Sequence, residues 1–87
     1  MNVLEHLTEM FEGSDEWKEL CELQYLPAEL APGTERDAVC NRLAEILEAH
    51  ADRMERSGLV RWFASSFTPD GLRADAAVWR EGRDPHA

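Results

Sequence analysis

The stretch TERDAVCNRLAEILEAHADRMERSG, residues 34–58, decides the fold, because it carries the longest unbroken helical pattern in the chain and closes on a stop signal. Cys40, Leu43, Leu47, His50 and Met54 recur at the 3–4 spacing of a helix buried on one face, and Val39, Ile46 and Ala51 widen the stripe. Arg42, Glu45, Glu48, Asp52, Glu55 and Arg56 fall mainly elsewhere on the wheel, so the opposite face is wet. Thr34 is the expected N-cap, with Glu35 and Asp37 in the first turn, and Gly58 suits the left-handed position after the last turn. The pattern predicts a central helix over about residues 35–57, roughly 33 Å long at 1.5 Å per residue. In a chain of 87 residues every other element must pack on it.

Upstream, residues 2–12 place Val3, Leu4, Leu7, Met10 and Phe11 on one helical face and Glu5, Glu9 and Glu12 on another, with Gly13 ending a short amphipathic helix. Ser14 then caps a further helix with Asp15 and Glu16 in its opening turn. Trp17, Leu20, Cys21 and Leu23 supply its apolar face, and Pro27 forces a stop near Tyr25 or Leu26. Residues 27–33 form a connector, with Leu30 as the expected anchor to the core.

Downstream of Gly58 two readings compete. Residues 59–67 suit a helix that clusters Leu59, Trp62, Phe63 and Phe67, or a strand rich in aromatic and β-branched residues. Thr68-Pro69-Asp70-Gly71 opens a last helix running to Glu81 and closed by Gly82, with Leu72, Ala76 and Trp79 inward. Read instead as a turn, it closes a hairpin whose second strand is Leu72 to Trp79. The fold class is therefore mainly α, a compact small helical domain around one long helix, with residues 59–81 as a helical pair or a β-hairpin. Residues 1–87 form a single domain, of which 82–87 is a polar tail.

Composition narrows the function classes. The hydrophobic fraction of 44% and charged fraction of 31% indicate a folded chain, and no run approaches a bilayer span or a secretory leader, so a cytoplasmic location is expected. Cys21 and Cys40 both fall on apolar stripes, which predicts buried free thiols. His6, His50 and His86 are scattered with no ligand-type spacing, so neither a metal nor a cofactor is expected. His50 reads as a core-edge histidine. Ser65-Ser66 lies in no nucleophile elbow and there is no glycine-rich phosphate loop, so the chain is expected not to be an enzyme. Trp17, Trp62 and Trp79 read as core aromatics, and one left at the surface would mark an interface.

The segment Met54-Glu-Arg-Ser-Gly-Leu-Val-Arg, followed by Pro-Asp-Gly-Leu-Arg, resembles the end of a recognition helix and the start of the wing in winged-helix transcription regulators. The resemblance covers about twenty residues and implies that Arg42, Arg53 and Arg56 face DNA, with Arg61 and Arg73 reaching from the wing.

Charge is the sharpest remaining feature. The net charge is −9, and residues 1–30 hold Glu5, Glu9, Glu12, Asp15, Glu16, Glu19, Glu22 and Glu29 against the single base Lys18. Glu5, Glu9 and Glu12 are spaced four and three apart, and Asp15, Glu19 and Glu22 repeat that spacing. Each helix thus carries a carboxylate stripe recurring about every 5–6 Å, comparable with phosphates along a nucleic-acid strand. Like charges at this spacing cost roughly 0.2–0.5 kcal/mol per pair, and no interleaved base is evident to relieve them. The expectation is a non-enzymatic acidic adaptor or inhibitor, a nucleic-acid mimic whose stripes contact a basic protein partner, as small phage-encoded inhibitors do. A winged-helix DNA-binding regulator is the alternative, and a homotypic helical adaptor a third reading.

Overall fold

The computed structural model describes residues 14–58 and 68–86, which form three helices and, among the described residues, no strand. In chain order they are α1 (Ser14–Leu23), α2 (Thr34–Arg56) and α3 (Pro69–Arg80). The expectations for residues 2–12 and 59–67 lie outside the described residues.

The expected central helix is α2, and both α1 and α3 pack on it while making no close approach to each other. Its buried residues are Cys40, Leu43, Ala44, Ile46, Leu47, His50, Ala51 and Met54. At about 100° per residue they cover an arc of roughly 160°, wider than the stripe a single packing partner requires. The width is what lets one helix serve two neighbours. Arg42, Ile46, His50 and Arg53 lie toward the edge that meets α1, and Ala44, Glu48, Ala51 and Glu55 toward the edge that meets α3.

The helix boundaries follow local chemistry. Gly33, and not Thr34, is the N-cap of α2, because its carbonyl accepts the first helical bond, from the Asp37 N–H at 3.0 Å. At the other end Ser57 caps the last turn, its N–H donating to the Arg53 carbonyl, and Gly58 follows at φ 73°, the left-handed conformation expected there. The first turn carries Glu35 and Asp37 and the last Arg53 and Arg56, both matched to the helix dipole.

Residues 69–80 are helical, which removes the hairpin reading of Leu72 to Trp79. Thr68 is extended and its hydroxyl accepts the Gly71 N–H at 3.1 Å, while Pro69 occupies the first helical position, where its missing N–H costs nothing. Gly82, at φ 77°, closes α3: its N–H donates to the Trp79 carbonyl and that of Arg83 to the Val78 carbonyl, the paired bonds of a Schellman turn. Leu72, Ala76 and Trp79 are the buried face of α3, as their 4- and 3-residue spacing predicts.

α1 ends at Leu23, two or three residues earlier than expected, and the chain continues through tight turns in which Leu26 N–H donates to Leu23 and Leu30 N–H to Leu26. Pro27 is buried there, whereas Leu30, the expected anchor, is half-buried. α1 contributes one buried residue, Leu20, with Trp17 and Leu23 packed partly against the core. Cys21 is a correction: it is an exposed free thiol, because it lies about 100° round the helix from Leu20, the centre of the inward side. Cys40 is free and buried, as expected.

Candidate protein-binding face

The six carboxylates expected to form a contact surface divide into three groups. Glu5, Glu9 and Glu12 lie outside the described residues. Asp15 and Glu22 are exposed on the outward side of α1 and engage no cation among the described residues. Glu19 turns the other way. Its two oxygens accept from Arg42 Nε at 2.7 Å and Nη2 at 2.9 Å, a bidentate fork across to α2. Hydrogen bonding from that guanidinium holds the Glu19 carboxyl below the usual carboxylate range, and raises the Arg42 pKa in return.

Glu16 makes the companion contact, accepting from Arg53 Nη2 at 3.2 Å. Between the two ion pairs the Trp17 indole and the His50 imidazole meet with ring centroids 4.7 Å apart and planes tilted by 39°. The order of partners, Glu16 with Arg53, Trp17 with His50 and Glu19 with Arg42, shows that α1 runs antiparallel to α2. His50 is fully buried. Burial, reinforced by the charge of Arg53, pushes its pKa down to about 4, so the ring is neutral at pH 7. Within the α1 stripe of Asp15, Glu19 and Glu22, relief thus comes to Glu19 from a base that is not interleaved but 23 residues away, and the neighbouring Glu16 meets an arginine 37 residues away.

A second set of ion pairs lies on the other edge of α2. Arg73 reaches Asp52 at 2.7 Å and also Glu55, and Arg80 reaches Glu48, so α3 runs antiparallel to α2 as well. Arg36 donates to the Gly82 carbonyl at 3.1 Å, tying the start of α2 to the end of α3. Of the arginines that the winged-helix resemblance would turn to DNA, Arg42, Arg53 and Arg73 are held by carboxylates of this chain, and Arg73 sits on a helix, not a wing.

Two residues missed in the sequence complete the face. Tyr25 and Leu26 are the exposed large apolar residues among those described, at 69% and 37%, just past the end of α1 and close in sequence to Glu22 and Glu29. Their exposure follows from the early end of α1 and the buried turn at Pro27, neither of which periodicity reveals. Trp17 is half-buried and Trp79 nearly fully so, while Trp62 lies outside the described residues.

A shallow cleft of about 250 Å³ lies between the start of α2 and the end of α3, lined by Asp37, Cys40, Asn41, Trp79, Arg80, Glu81 and Gly82. Burial raises the Cys40 pKa, so the thiol at this cleft stays protonated and a poor nucleophile. Among the described residues no three His, Cys, Asp or Glu side chains gather as metal ligands, and no helix is long and apolar enough to cross a membrane.

Geometry thus defines a class: a helical domain built on one long α2, clasped on both edges by antiparallel helices and by arginine–carboxylate pairs. No protein-family model matches the chain, and neither a curated protein nor a solved structure is similar to it.

Proposed function

We propose that the protein is a small, acidic, non-enzymatic protein-binding domain that acts in the cytosol as an adaptor or inhibitor on a basic surface of its partner. Its contact face is the outward side of α1, with Asp15 and Glu22, together with Glu5, Glu9 and Glu12 of the preceding sequence. Glu19 contributes the margin that it shares with Arg42. One observation supports this reading above others: Arg42, Arg53, Arg73, Arg80 and Arg83 are each engaged by carboxylates of the same chain, and Arg36 by a backbone carbonyl. Among the described residues the exposed carboxylates that engage no cation, including Asp15, Glu22, Glu29 and Asp70, outnumber the exposed unpaired bases Lys18 and Arg56. Tyr25 and Leu26, beside Glu22, add the apolar anchor that charge alone does not supply at an interface.

A partner groove built for phosphate has the charge and spacing to accept such a face. Long-range attraction then sets the encounter rate and is screened beyond roughly 10 Å at 0.1 M salt. Partner capture should weaken steeply with rising salt, and replacing Glu9 and Glu22 with Lys should cut the association rate well beyond what the same charge change at Asp70 and Asp75 on α3 does. Equal losses from both sets, or binding indifferent to salt, would sink the proposal. So would a gel shift of duplex DNA by the isolated protein, which would favour the DNA-binding alternative.

A further inference from the structure

The turn that follows α1 carries the one aromatic side chain that stands in solvent among the described residues. Tyr25 is 69% exposed, and Leu26 beside it 37%. The backbone beneath them is fixed: the Leu26 N–H donates to the Leu23 carbonyl at 3.0 Å, the Leu26 carbonyl accepts from the N–H groups of Glu29 at 2.9 Å and Leu30 at 3.1 Å, and Pro27 is buried. A tyrosine displayed on so closed a turn gives up little freedom when a partner covers it, which is why the residue recurs at binding hot spots. The charge around it has one sign. Glu22 and Glu29 lie three residues before and four after Tyr25, both are exposed, and neither engages a cation among the described residues. From Glu19 to Glu35 the chain holds no Lys, Arg or His; Lys18 and Arg36 flank that run, and Arg36 donates to the Gly82 carbonyl.

If the partner surface is basic, as proposed above, this pairing of an open π-face with carboxylates narrows what the partner's groove was built to hold. A duplex keeps its bases stacked inside and offers backbone phosphates outside, so a groove shaped for it has charge for the carboxylates but no platform for Tyr25. A single strand offers phosphates and open base faces together, and proteins that hold it combine a basic groove with aromatic side chains on which successive bases stack. We propose that residues 22–29 stand in for a segment of single strand: Tyr25 takes a base-stacking platform, Glu22 and Glu29 meet the lysines and arginines that hold the flanking phosphates, and the partner is a protein that binds single-stranded nucleic acid. Leu26 widens the apolar contact beside the ring.

The test immobilises the intact chain, loads it at low salt with nuclease-treated extract of the native host, and elutes with an oligothymidylate of about twenty nucleotides or with a duplex of the same length, at equal phosphate concentration. The oligothymidylate should release the captured protein at a concentration at least about tenfold lower than the duplex does. Tyr25→Leu keeps an apolar side chain and removes the π-face, so it should lower retention at least about fivefold, whereas Tyr25→Phe should preserve it. Because Tyr25 stands in solvent, both variants should melt with the parent chain. Release by the duplex at an equal or lower concentration, release by salt but by neither nucleic acid, or undiminished retention by Tyr25→Leu would each overturn the single-strand assignment while leaving a basic partner in place. Absence of any salt-sensitive capture would overturn both this assignment and the protein-binding role on which it rests.

Discussion

The two helices that clasp α2 are held by different forces. α3 buries Leu72, Ala76 and Trp79 in the core, is capped at both ends, and keeps its ion pairs at the exposed margin, where Arg73 and Arg80 are 35% and 44% exposed. α1 fully buries Leu20, packs Trp17 and Leu23 partly against the core, and sets one of its two ion pairs within the seam, where Arg53 is only 11% exposed, while Arg42 of the Glu19 fork is 41% exposed. Apolar burial is worth about 25 cal/mol per Å² regardless of pH and salt, whereas an ion pair must first offset the desolvation of its own charges. The difference teaches that the number of salt bridges is no guide to which helix is anchored: both edges of α2 have them, and the α3 edge rests on more fully buried residues.

Three sets of substitutions break or sharpen this contrast. The largest effect is expected from Leu43→Ala or Leu47→Ala, at the centre of the buried arc, at 0% and 4% exposure. Either should cost about 2–5 kcal/mol and destabilise both helix contacts together. Thermal melts within a degree or two of the parent would show that this stripe is not the common core.

An intermediate effect is expected from Arg53→Ala, which removes the guanidinium that donates to Glu16. About 1–3 kcal/mol is the scale for removing one member of a charged, partly buried pair. Hydrogen exchange should quicken over α1 well before it does over α3; uniform acceleration of both would erase the contrast between the two edges.

The smallest effect is expected from Arg73→Ala and Arg80→Ala. These guanidinium groups have raised pKa values through hydrogen bonds to Glu55, Asp52 and Glu48, yet they stand in solvent, where such pairs contribute about 0–1 kcal/mol. A denaturation midpoint that fell as far as in Arg53→Ala would mean that α3, too, depends on its ion pairs.

Much of the architecture was open to a reader of the sequence. The buried positions of α2, and Leu72, Ala76 and Trp79 on α3, follow from periodicity. Thr68-Pro69 at one end of α3 and Gly82 at the other carry their instructions in their own stereochemistry: a hydroxyl acceptor, a fixed φ, a permitted left-handed turn. Those are properties of residues a few positions apart, and local physics suffices to read them. Composition likewise determined the acidic surplus. Which acids remain free was decided by the tertiary structure, since Glu16 and Glu19 meet Arg53 and Arg42 only because α1 folds back antiparallel on α2. Nothing in the spacing of Asp15, Glu19 and Glu22 distinguishes the one that turns inward. Cys21 and Tyr25 share that character: their exposure depends on where α1 stops and which side of it meets α2. Helix period and capping are encoded within a few residues, whereas the pairing of charges and the neutral state of His50 arise from groups brought together across 23 to 37 positions, which only the packed chain specifies.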